Sequence, residues 1–430
     1  MQNALLVADD LTGAVDTGHG FAARGRGVRV RLRGEGDAET PPADRDVLAV
    51  DTDSRAASPS VAAEAVTRAI AAYPAARVYK KVDSTLRGNV VAEVDAAVAA
   101  TNADVAVVAP AFPATGRTTE DGIHRVDDTP LAEADYGVAE SDLRTVFARS
   151  RYLVESLDLA TVEQGTQSVR ESLASITEAE EPVLVVCDAT TEDHLAAIAT
   201  GAEALADDGG ASVASGDSHA EAATTPSVLF VGSGGLAKHV AVPGEPTPTT
   251  VQPVARPGTL AVVGSTNERT LVQLAAVPDD LVVALDPAAA VRNPEETGRR
   301  GAVRLGRLLD RRGRAVVTAA TGGADVGTAE RVAAETDTDA SDRVETALSA
   351  AASGAVAASQ PGSLFLTGGA VARTVLTRLE APELALTGEA VADGVPESVV
   401  ATGPARGTRV VTKAGGFGDE KTILNCLDAM

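Results

Sequence analysis

The chain of 430 residues has two cysteines, two methionines, no tryptophan and only 2% aromatic residues. Cys187 and Cys426 are too few for a disulfide framework, and Cys187 ends an apolar run, so both are expected reduced and no metal-thiolate set is available. No stretch of about 18 apolar residues occurs, which argues against a membrane-spanning helix. The N-terminus runs straight into a strand pattern without a basic region or a long apolar segment, so a cytoplasmic location is expected. Of 37 basic residues only Lys80, Lys81, Lys238, Lys413 and Lys421 are lysine, and 61 acids leave a formal net charge of −24. Such a field repels nucleic acid and anionic membranes, and neither is expected as a partner. The phosphate loop Gly-x4-Gly-Lys-Ser/Thr is missing, and no Gly-x-Gly-x-x-Gly follows the first strand pattern, which disfavours P-loop and dinucleotide-dehydrogenase readings respectively.

What the chain does carry is concentrated where strands turn into helices. With 44% hydrophobic and 23% charged residues, it is long enough for two domains, each with its own core. Residues 4–7 form a continuous apolar run, as in a strand covered on both faces, and from Thr12 to Ala23 apolar residues recur at helical spacing. Asp9 and Asp10 therefore fall at the carboxyl end of a strand, the edge at which open α/β sheets bind ligands. Two adjacent acids there can accept hydrogen bonds from substrate hydroxyls or hold a metal, while Thr12 and Gly13 expose backbone N–H groups to an anion. Helix capping would account for Asp10 alone and leave Asp9 and Asp16 unexplained.

The run Ala8-Asp9-Asp10-Leu11-Thr12-Gly13-Ala14 with Asp16-Thr17-Gly18 resembles the opening signature of the four-carbon acid sugar kinase family, whose members phosphorylate compounds such as erythronate, threonate and 3-oxo-tetronate. Further stretches match in the same order over most of the chain. Strands expected at Val28–Leu32 and 47–50 are followed by Asp51-Thr52-Asp53-Ser54-Arg55, which the resemblance places beside the substrate and which capping explains equally well. Ser58-Pro59-Ser60 then caps and opens a helix over 61–71.

A strand over 77–82 leads into Lys80-Lys81-Val82-Asp83-Ser84-Thr85-Leu86-Arg87-Gly88-Asn89, the second stretch resembling the family. Alternation sends Lys80 and Lys81 to opposite faces, so at most one reaches the ligand side. Arg87 offers the planar fork that binds a carboxylate at two points. With Lys81 or Lys80 it can hold the acid end of a sugar acid while Asp83 and Ser84 meet the hydroxyls; a surface salt-bridge cluster is the alternative. After a strand at Val105–Ala109, residues 110–124 read as a long aperiodic loop, of the kind that is functional or disordered, and its two prolines and Phe112 argue for order. Its Pro-x-x-Gly-Arg-Thr run and its Gly-x-His resemble the family's third motif and make Arg117, Thr118 and His124 substrate-site candidates. Residues 127–160 are expected to supply a helical cover.

A strand at 183–188 precedes a helix capped near Thr190 or Thr191, and residues 228–231 end in Gly232-Ser233-Gly234-Gly235, a turn suited to phosphate or to tight packing. Prolines 243, 246, 248, 253 and 257 mark an extended linker. The expected division is a sugar-acid-binding domain over 1–240, a linker over 241–258 and a nucleotide-binding domain over 259–430. Strands are expected at 260–263, 281–285, 315–319, 364–367 and 409–412. Three of them end in glycine turns: Gly264-Ser265-Thr266-Asn267 with Thr270, Gly368-Gly369-Ala370-Val371, and Lys413-Ala414-Gly415-Gly416-Phe417-Gly418. Each precedes a helical pattern and can aim N–H groups and a positive dipole end at phosphate. Their order matches the family's nucleotide-binding domain. The residues depart from it at Ala370 and Val371, where the family places an acid and a hydroxyl, and at Ala414, where a Ser is common. Backbone phosphate binding survives these changes, whereas side-chain contacts to phosphate or magnesium do not.

The expected architecture is α/β, two doubly wound three-layer domains with a cleft between them. The resemblance implies ATP and Mg²⁺ as reactant and cofactor, with transfer of the γ-phosphoryl to a terminal hydroxyl of the sugar acid. Asp10 or Asp16 is expected as the base. Asp9, Thr12, Lys81, Asp83, Ser84, Arg87, Arg117, Thr118 and His124 form the expected substrate site. Gly264, Ser265, Gly368, Gly369, Ala370, Val371, Lys413, Gly415 and Gly416 form the expected nucleotide site, and no residues are assigned to a metal. A homodimer is compatible with the sequence without being fixed by it. Two other readings remain: a weakened family member that binds sugar acid or nucleotide without efficient turnover, and a nucleotide-dependent oxidoreductase. Scarce Lys beside abundant Ala, Asp, Thr and Val also resembles the proteins of extreme halophiles, whose carboxylates keep the surface hydrated at high salt.

Overall fold

The computed structural model describes residues 2–32, 45–178, 181–207, 226–392 and 394–430. Among them no helix is long and apolar enough to cross a membrane. Two compact units divide the chain: Met1–Phe21 with Asp46–Pro246, and Ala22–Arg45 with Thr247–Met430. In chain order the strands are β1 (Gln2–Ala8), β2 (Val28–Leu32), β3 (Val47–Asp51), β4 (Ala75–Lys81), β5 (Val105–Ala109), β6 (Arg117–Glu120), β7 (Ile123–Val126), β8 (Thr129–Pro130), β9 (Leu153–Leu157), β10 (Val183–Cys187), β11 (Val228–Gly232), β12 (Thr259–Val263), β13 (Val282–Ala284), β14 (Arg314–Thr318), β15 (Ser363–Thr367), β16 (Glu383–Ala392), β17 (Val395–Val400) and β18 (Arg409–Lys413).

The first unit is built on a parallel sheet in the order β3-β1-β4-β11-β5-β10-β9. Its central strands are continuous apolar runs buried on both faces, as parallel strands between helix layers must be. Leu5, Val7, Leu48 and Val50 face one core with Val66 and Ile70 of the helix Pro59–Ala72 and Val94 of the helix Val90–Thr101. On β4, Tyr79 meets Phe21 of the helix Leu11–Ala22 edge to face at 6.2 Å. β1 lies between β3 and β4, and the chain crosses from β3 over β1 to β4, so the carboxyl end of β1 is a switch point, where the flanking loops part and leave room for a ligand.

Residues 110–124 are not an open loop. They enter a three-stranded antiparallel sheet, β6-β7-β8, whose strands carry Arg, Thr and His in place of an apolar run. The helical cover expected over 127–160 is also corrected: this stretch holds the short helix Leu143–Phe147 and the strand β9, which pairs parallel with β10. Ser58 stands at the start of its helix as expected, but its hydroxyl meets Ser60 Oγ at 3.2 Å and makes no capping bond.

The second unit has the strand order β13-β14-β12-β15-β18-β17-β16-β2. The first five are parallel, and β17, β16 and β2 follow antiparallel. The β16–β17 hairpin has no counterpart in the sequence reading, because its strands mix Thr, Glu and Ser with small apolar residues. Strand β2 joins this unit by pairing Arg31 with Glu383, Val30 with Leu384 and Arg29 with Ala385. Arg31 and Glu383 also close a buried ion pair there. The compact first unit thus omits Ala22–Arg45, and the later crossing, from Pro246 to Thr247, falls in the proline-rich stretch.

Candidate functional site

In the first unit the β1–β3 ladder continues past both strands: Thr52 N donates to Ala8 O at 2.8 Å and Ser54 N to Asp9 O at 3.0 Å. This brings Arg55 over the two aspartates. Its Nε and Nη2 donate to Asp9 Oδ2 and Oδ1 at 2.7 and 2.9 Å, and its Nη1 and Nη2 to Asp10 Oδ2 and Oδ1 at 3.0 and 2.9 Å. Asp10 also caps the following helix, accepting from Gly13 N at 2.9 Å and Thr12 Oγ1 at 2.6 Å. All four lone-pair positions of Asp10 are thus filled, and with them the Thr12 hydroxyl proton. Asp9 spends only two on Arg55. Burial alone would raise the pKa of Asp9, yet Arg55, then Lys80 and Lys81, outweigh it and hold the carboxyl below its usual range.

Strand alternation resolves the lysine pair. Lys80 is fully buried and pairs with Glu93 Oε2 at 2.8 Å. Glu93 Oε1 accepts from Ser54 Oγ at 2.9 Å, and Ser54 Oγ meets Thr52 Oγ1 at 2.8 Å, so this network fixes the β3 turn from below. Lys81 takes the opposite side, over the first helical turn, where a Cβ on Gly13 would lie 3.1 Å from its Nζ. Asp83 accepts from Thr85 Oγ1 at 3.1 Å and from Arg87 Nε at 2.5 Å. Burial works against its ionised form, but Arg55, Arg87 and Lys81 overcome that and hold its pKa far below the carboxylate range. Arg87 is half-exposed, and among the described residues its two terminal nitrogens have no partner.

His124 is buried, with Nε2 and Nδ1 each 2.8 Å from a partner, the Ser84 carbonyl and the Thr119 hydroxyl. A carbonyl only accepts, so Nε2 carries a proton, and in the neutral ring Nδ1 accepts from Thr119. Burial pushes its pKa down to about 4. Expected as a substrate contact, His124 instead braces the Ser84 backbone. Arg117 turns to the Thr115 carbonyl and to Tyr136 Oη at 3.2 Å, and Thr118, half-buried on β6, pairs in register with Arg125.

Asp16 lies one and a half turns into the helix Leu11–Ala22 and is partly buried. Among the described residues none hydrogen-bonds its carboxylate. Burial raises its pKa, opposed by Lys81 and Lys238 and reinforced by Asp10.

In the second unit the turns after β12 and β15 touch: Gly264 N donates to Thr367 O at 2.9 Å. Gly368 has φ +94°, and a Cβ there would sit 3.0 Å from Ser265 N, so only glycine fits this corner without strain. Asn267 caps the helix Glu268–Ala275, and the helix Gly369–Arg378 starts directly from Gly368. Beside these turns lies a cavity of about 330 Å³. Gly264, Ser265, Gly368, Gly369, Ala370 and Val371 line it, together with Val326, Ala329, Val344 and Leu348. Its charged lining is acidic, Asp325, Glu330 and Glu345, without Lys or Arg. Sequence reasoning placed Ala319 at the end of a strand, whereas β14 ends at Thr318 and Ala319 and Ala320 form a turn that also contributes.

The third glycine turn plays another part. Thr270 Oγ1 ties it to the first, reaching Ser265 Oγ at 3.2 Å and Gly415 O at 2.9 Å. Lys413, expected to meet the nucleotide, is fully buried, and its Nζ donates to the carbonyls of Ala414, Gly415 and Phe417 at 3.0–3.2 Å. Burial lowers its pKa to about 8. It moulds the turn, while Gly415 and Gly416 do not line the cavity and the next helix, Thr422–Ala429, starts well beyond them.

Residues 4–240 match the family model of a sugar-binding N-terminal domain, and residues 260–423 that of a nucleotide-binding C-terminal domain. A D-threonate kinase of Cupriavidus necator is 36% identical over 461 residues, covering 99% of this chain and 97% of its own. A D-threonate kinase of Salmonella typhimurium is 31% identical, covering 98% and 97%, and a D-erythronate kinase of Heliobacterium modesticaldum 30%, covering 100% and 97%. A solved structure from Salmonella typhimurium LT2 shares the fold over 99% of both chains, with a TM-score of 0.77 at 21% identity.

Proposed function

This chain belongs to the four-carbon acid sugar kinase family, and we propose that it transfers the γ-phosphoryl of ATP to a terminal hydroxyl of a four-carbon sugar acid, a tetronate such as threonate or erythronate. Full-length similarity to relatives named threonate and erythronate kinases supports the substrate class. The oxidoreductase alternative falls with the family membership.

The observation that carries the chemistry is the carboxylate of Asp16, which none of the described residues hydrogen-bonds, on the helix that starts from the ligand edge of the first unit. Phosphoryl transfer asks for positioned reactants, neutralised charge and a group that takes the hydroxyl proton. Asp16 is the base: its lone pairs are unspent, and a pKa above the ordinary carboxylate value makes it the better acceptor. Asp10, its alternative in the sequence, would have to break Arg55, Thr12 or Gly13 bonds first. The terminal nitrogens of Arg87 and the ammonium of Lys81 hold the substrate carboxylate, and Asp9 and Ser84 take its hydroxyls.

ATP occupies the second unit's cavity. Val326, Ala329, Val344 and Leu348 suit the base, the glutamates can accept from ribose hydroxyls, and the phosphates meet N–H groups at Ser265 and at the start of the helix Gly369–Arg378. Among the described residues no group of three His, Cys, Asp or Glu is arranged to hold a metal. Mg²⁺ bound with the nucleotide would supply charge neutralisation around the moving phosphoryl. Ala370 and Val371 favour one further reading, a member that binds both ligands but turns over slowly. The acidic, lysine-poor composition supports a halophilic setting, and two cysteines, too few for a disulfide framework, support a cytoplasmic one.

Incubation with ATP and Mg²⁺ in high salt against a panel of threonate, erythronate and 3-oxo-tetronate isomers, followed by ³¹P NMR, tests the reading. A phosphorylated tetronate is expected. Calorimetric binding of sugar acid and ATP without any product would select the slow-turnover reading instead, and binding of neither would refute both.

A further inference from the structure

Lys413 is held in a way that ion pairing does not explain. Its side chain is fully buried at the carboxyl end of β18, and among the described residues no carboxylate forms an ion pair with it. Four oxygens surround the ammonium instead: the carbonyls of Ala414, Gly415 and Phe417 at 3.0, 3.1 and 3.2 Å, and Thr270 Oγ1 at 3.3 Å. The titratable groups nearby do not neutralise it. Arg269 is a second cation, and burial pushes the Cys426 thiol up to about 12, so it is uncharged at neutral pH. Asp419 spends its carboxylate on Lys421 N and Thr422 Oγ1, at 2.9 and 3.0 Å. A buried cation without a counter-charge is costly, and here oxygen dipoles alone offset that cost.

The cage reaches beyond its own loop. Gln273 Nε2 donates to Phe417 O at 3.0 Å and to Asp419 O at 2.7 Å, so the helix Glu268–Ala275 grips the third glycine turn at Thr270 and at Gln273. A Cβ on Gly415 would lie 2.4 Å from Ser265 Oγ and 3.0 Å from Asn267 Cβ, so the third turn rests directly on the first. Thr270 Oγ1 stands at the junction, shared by Lys413 Nζ, Gly415 O and Ser265 Oγ. Ser265 lines the cavity and Lys413 does not. The positive charge is therefore one hydroxyl removed from the turn assigned to phosphate.

Carbonyl oxygens arranged around a point are the coordination with which proteins replace the water of K⁺, and an ammonium has the charge of K⁺ and about its size. We propose that Lys413 is a tethered substitute for a monovalent cation: its ammonium fills a carbonyl cage that K⁺ would otherwise fill, and as a positioning residue it holds the Ser265 turn in the form that binds phosphate. This rests on the nucleotide site proposed above. Because the cation is covalently attached, ATP binding by the parent should not depend on which monovalent salt is present. An uncharged side chain would leave the three carbonyls without a donor, and the turn would lose what holds its oxygens together.

Calorimetric ATP binding in NaCl, KCl and NH₄Cl at equal ionic strength tests this. The parent should bind alike in all three. Lys413→Ala in NaCl should bind ATP about 10- to 100-fold more weakly, the range for losing a hydrogen-bonded charge, and KCl or NH₄Cl should restore most of the loss. Lys413→Met, whose stem occupies the approach to the cage without a charge, should lose ATP affinity and gain nothing from K⁺. Thr270→Val keeps the ammonium and cuts its link to Ser265, so it should weaken ATP binding equally in every salt. Sugar-acid binding should be parental in all three variants. A folded Lys413→Ala chain with parental ATP affinity in NaCl overturns the proposal, as does a loss of the same size in all three salts. Should Lys413→Ala fail to fold in every salt, Thr270→Val decides, and parental ATP affinity in that variant overturns the proposal. If the parent itself binds no ATP, the nucleotide reading fails. The melting temperature of Lys413→Ala, expected to be higher in KCl than in NaCl with no such difference in the parent, still decides whether the cage takes a cation.

Discussion

The two units present their ligand edges in opposite ways. In the first, the carboxyl ends of β1, β3 and β4 carry charged side chains that satisfy one another: Arg55 with Asp9 and Asp10, Arg87 with Asp83, Lys80 with Glu93. In the second, the ends of β12 and β15 offer backbone turns beside a cavity whose charged residues are all acids, and its nearby lysine is spent on carbonyls. A sugar acid is small and stereochemically dense, so telling isomers apart needs directional side chains. A triphosphate is large and highly charged, and N–H groups with a helix dipole bind it without any particular side chain. On the proposed assignment, Ala370 and Val371 leave backbone phosphate binding intact, whereas single substitutions in the sugar-acid site should be costly.

The largest effect expected is at Asp16. Asp16→Asn should lower kcat about 10²–10⁴-fold with little change in KM, because the substrate carboxylate is held elsewhere. In the parent, kcat should fall on acidification with an acid limb above the ordinary carboxylate value, since the base must be ionised and burial has raised its pKa. Asp10→Asn should behave differently, weakening the cap and the Arg55 anchor, and so raising KM. Equal kcat losses in both variants would break the distinction between a spent and an unspent carboxylate.

A second effect concerns His124, whose pKa is lowered from 6.5 to about 4 in the folded chain. Between those values the unfolded chain binds the proton more readily, so the contribution of His124 is fully present above pH 6.5 and is lost as pH falls toward 4. The whole shift corresponds to about 3 kcal/mol. Denaturant titrations of the parent and His124→Gln between pH 7 and 4 should show the parent falling more steeply. Parallel curves would remove His124 from the acid response.

The smallest and least local effect is salt. With a formal net charge of −24, self-repulsion reaches about 30 Å at 0.01 M and about 3 Å at 1 M. The melting temperature should rise as KCl is added over that range, and a flat response would sink the halophile reading without touching the sites.

How far the sequence was legible follows from the same contrast. Parallel strands between helix layers must be apolar on both faces, so runs such as Val-Leu-Val-Val-Cys announce β10 and its neighbours. Strands β6, β7, β16 and β17 are antiparallel and carry polar residues, and no periodicity marks them. β2 looked like its neighbours in sequence, and only its pairing with β16 places it in the second unit. At the site, Asp9, Asp10 and Asp16 could be named from their strand-to-helix position, but which of them was spent depended on Arg55, 45 residues beyond Asp10. A signal for it existed: an arginine closing an Asp-Thr-Asp-Ser-Arg turn at the same sheet edge as two unpaired acids. Lys413 was assigned to the nucleotide with the third glycine turn, and only the fold shows its ammonium turned into its own loop.

The division between side-chain and backbone recognition is tested most directly by calorimetric titration of Gly368→Val with each ligand in turn. A β-branched residue at φ +94° cannot keep this corner or its approach to Ser265 N. ATP affinity should fall by about tenfold or more, equivalent to about 1.4 kcal/mol, while the sugar acid binds as it does to the parent. ATP binding at parental strength by a folded Gly368→Val chain, or loss of the sugar acid together with ATP, would contradict the account.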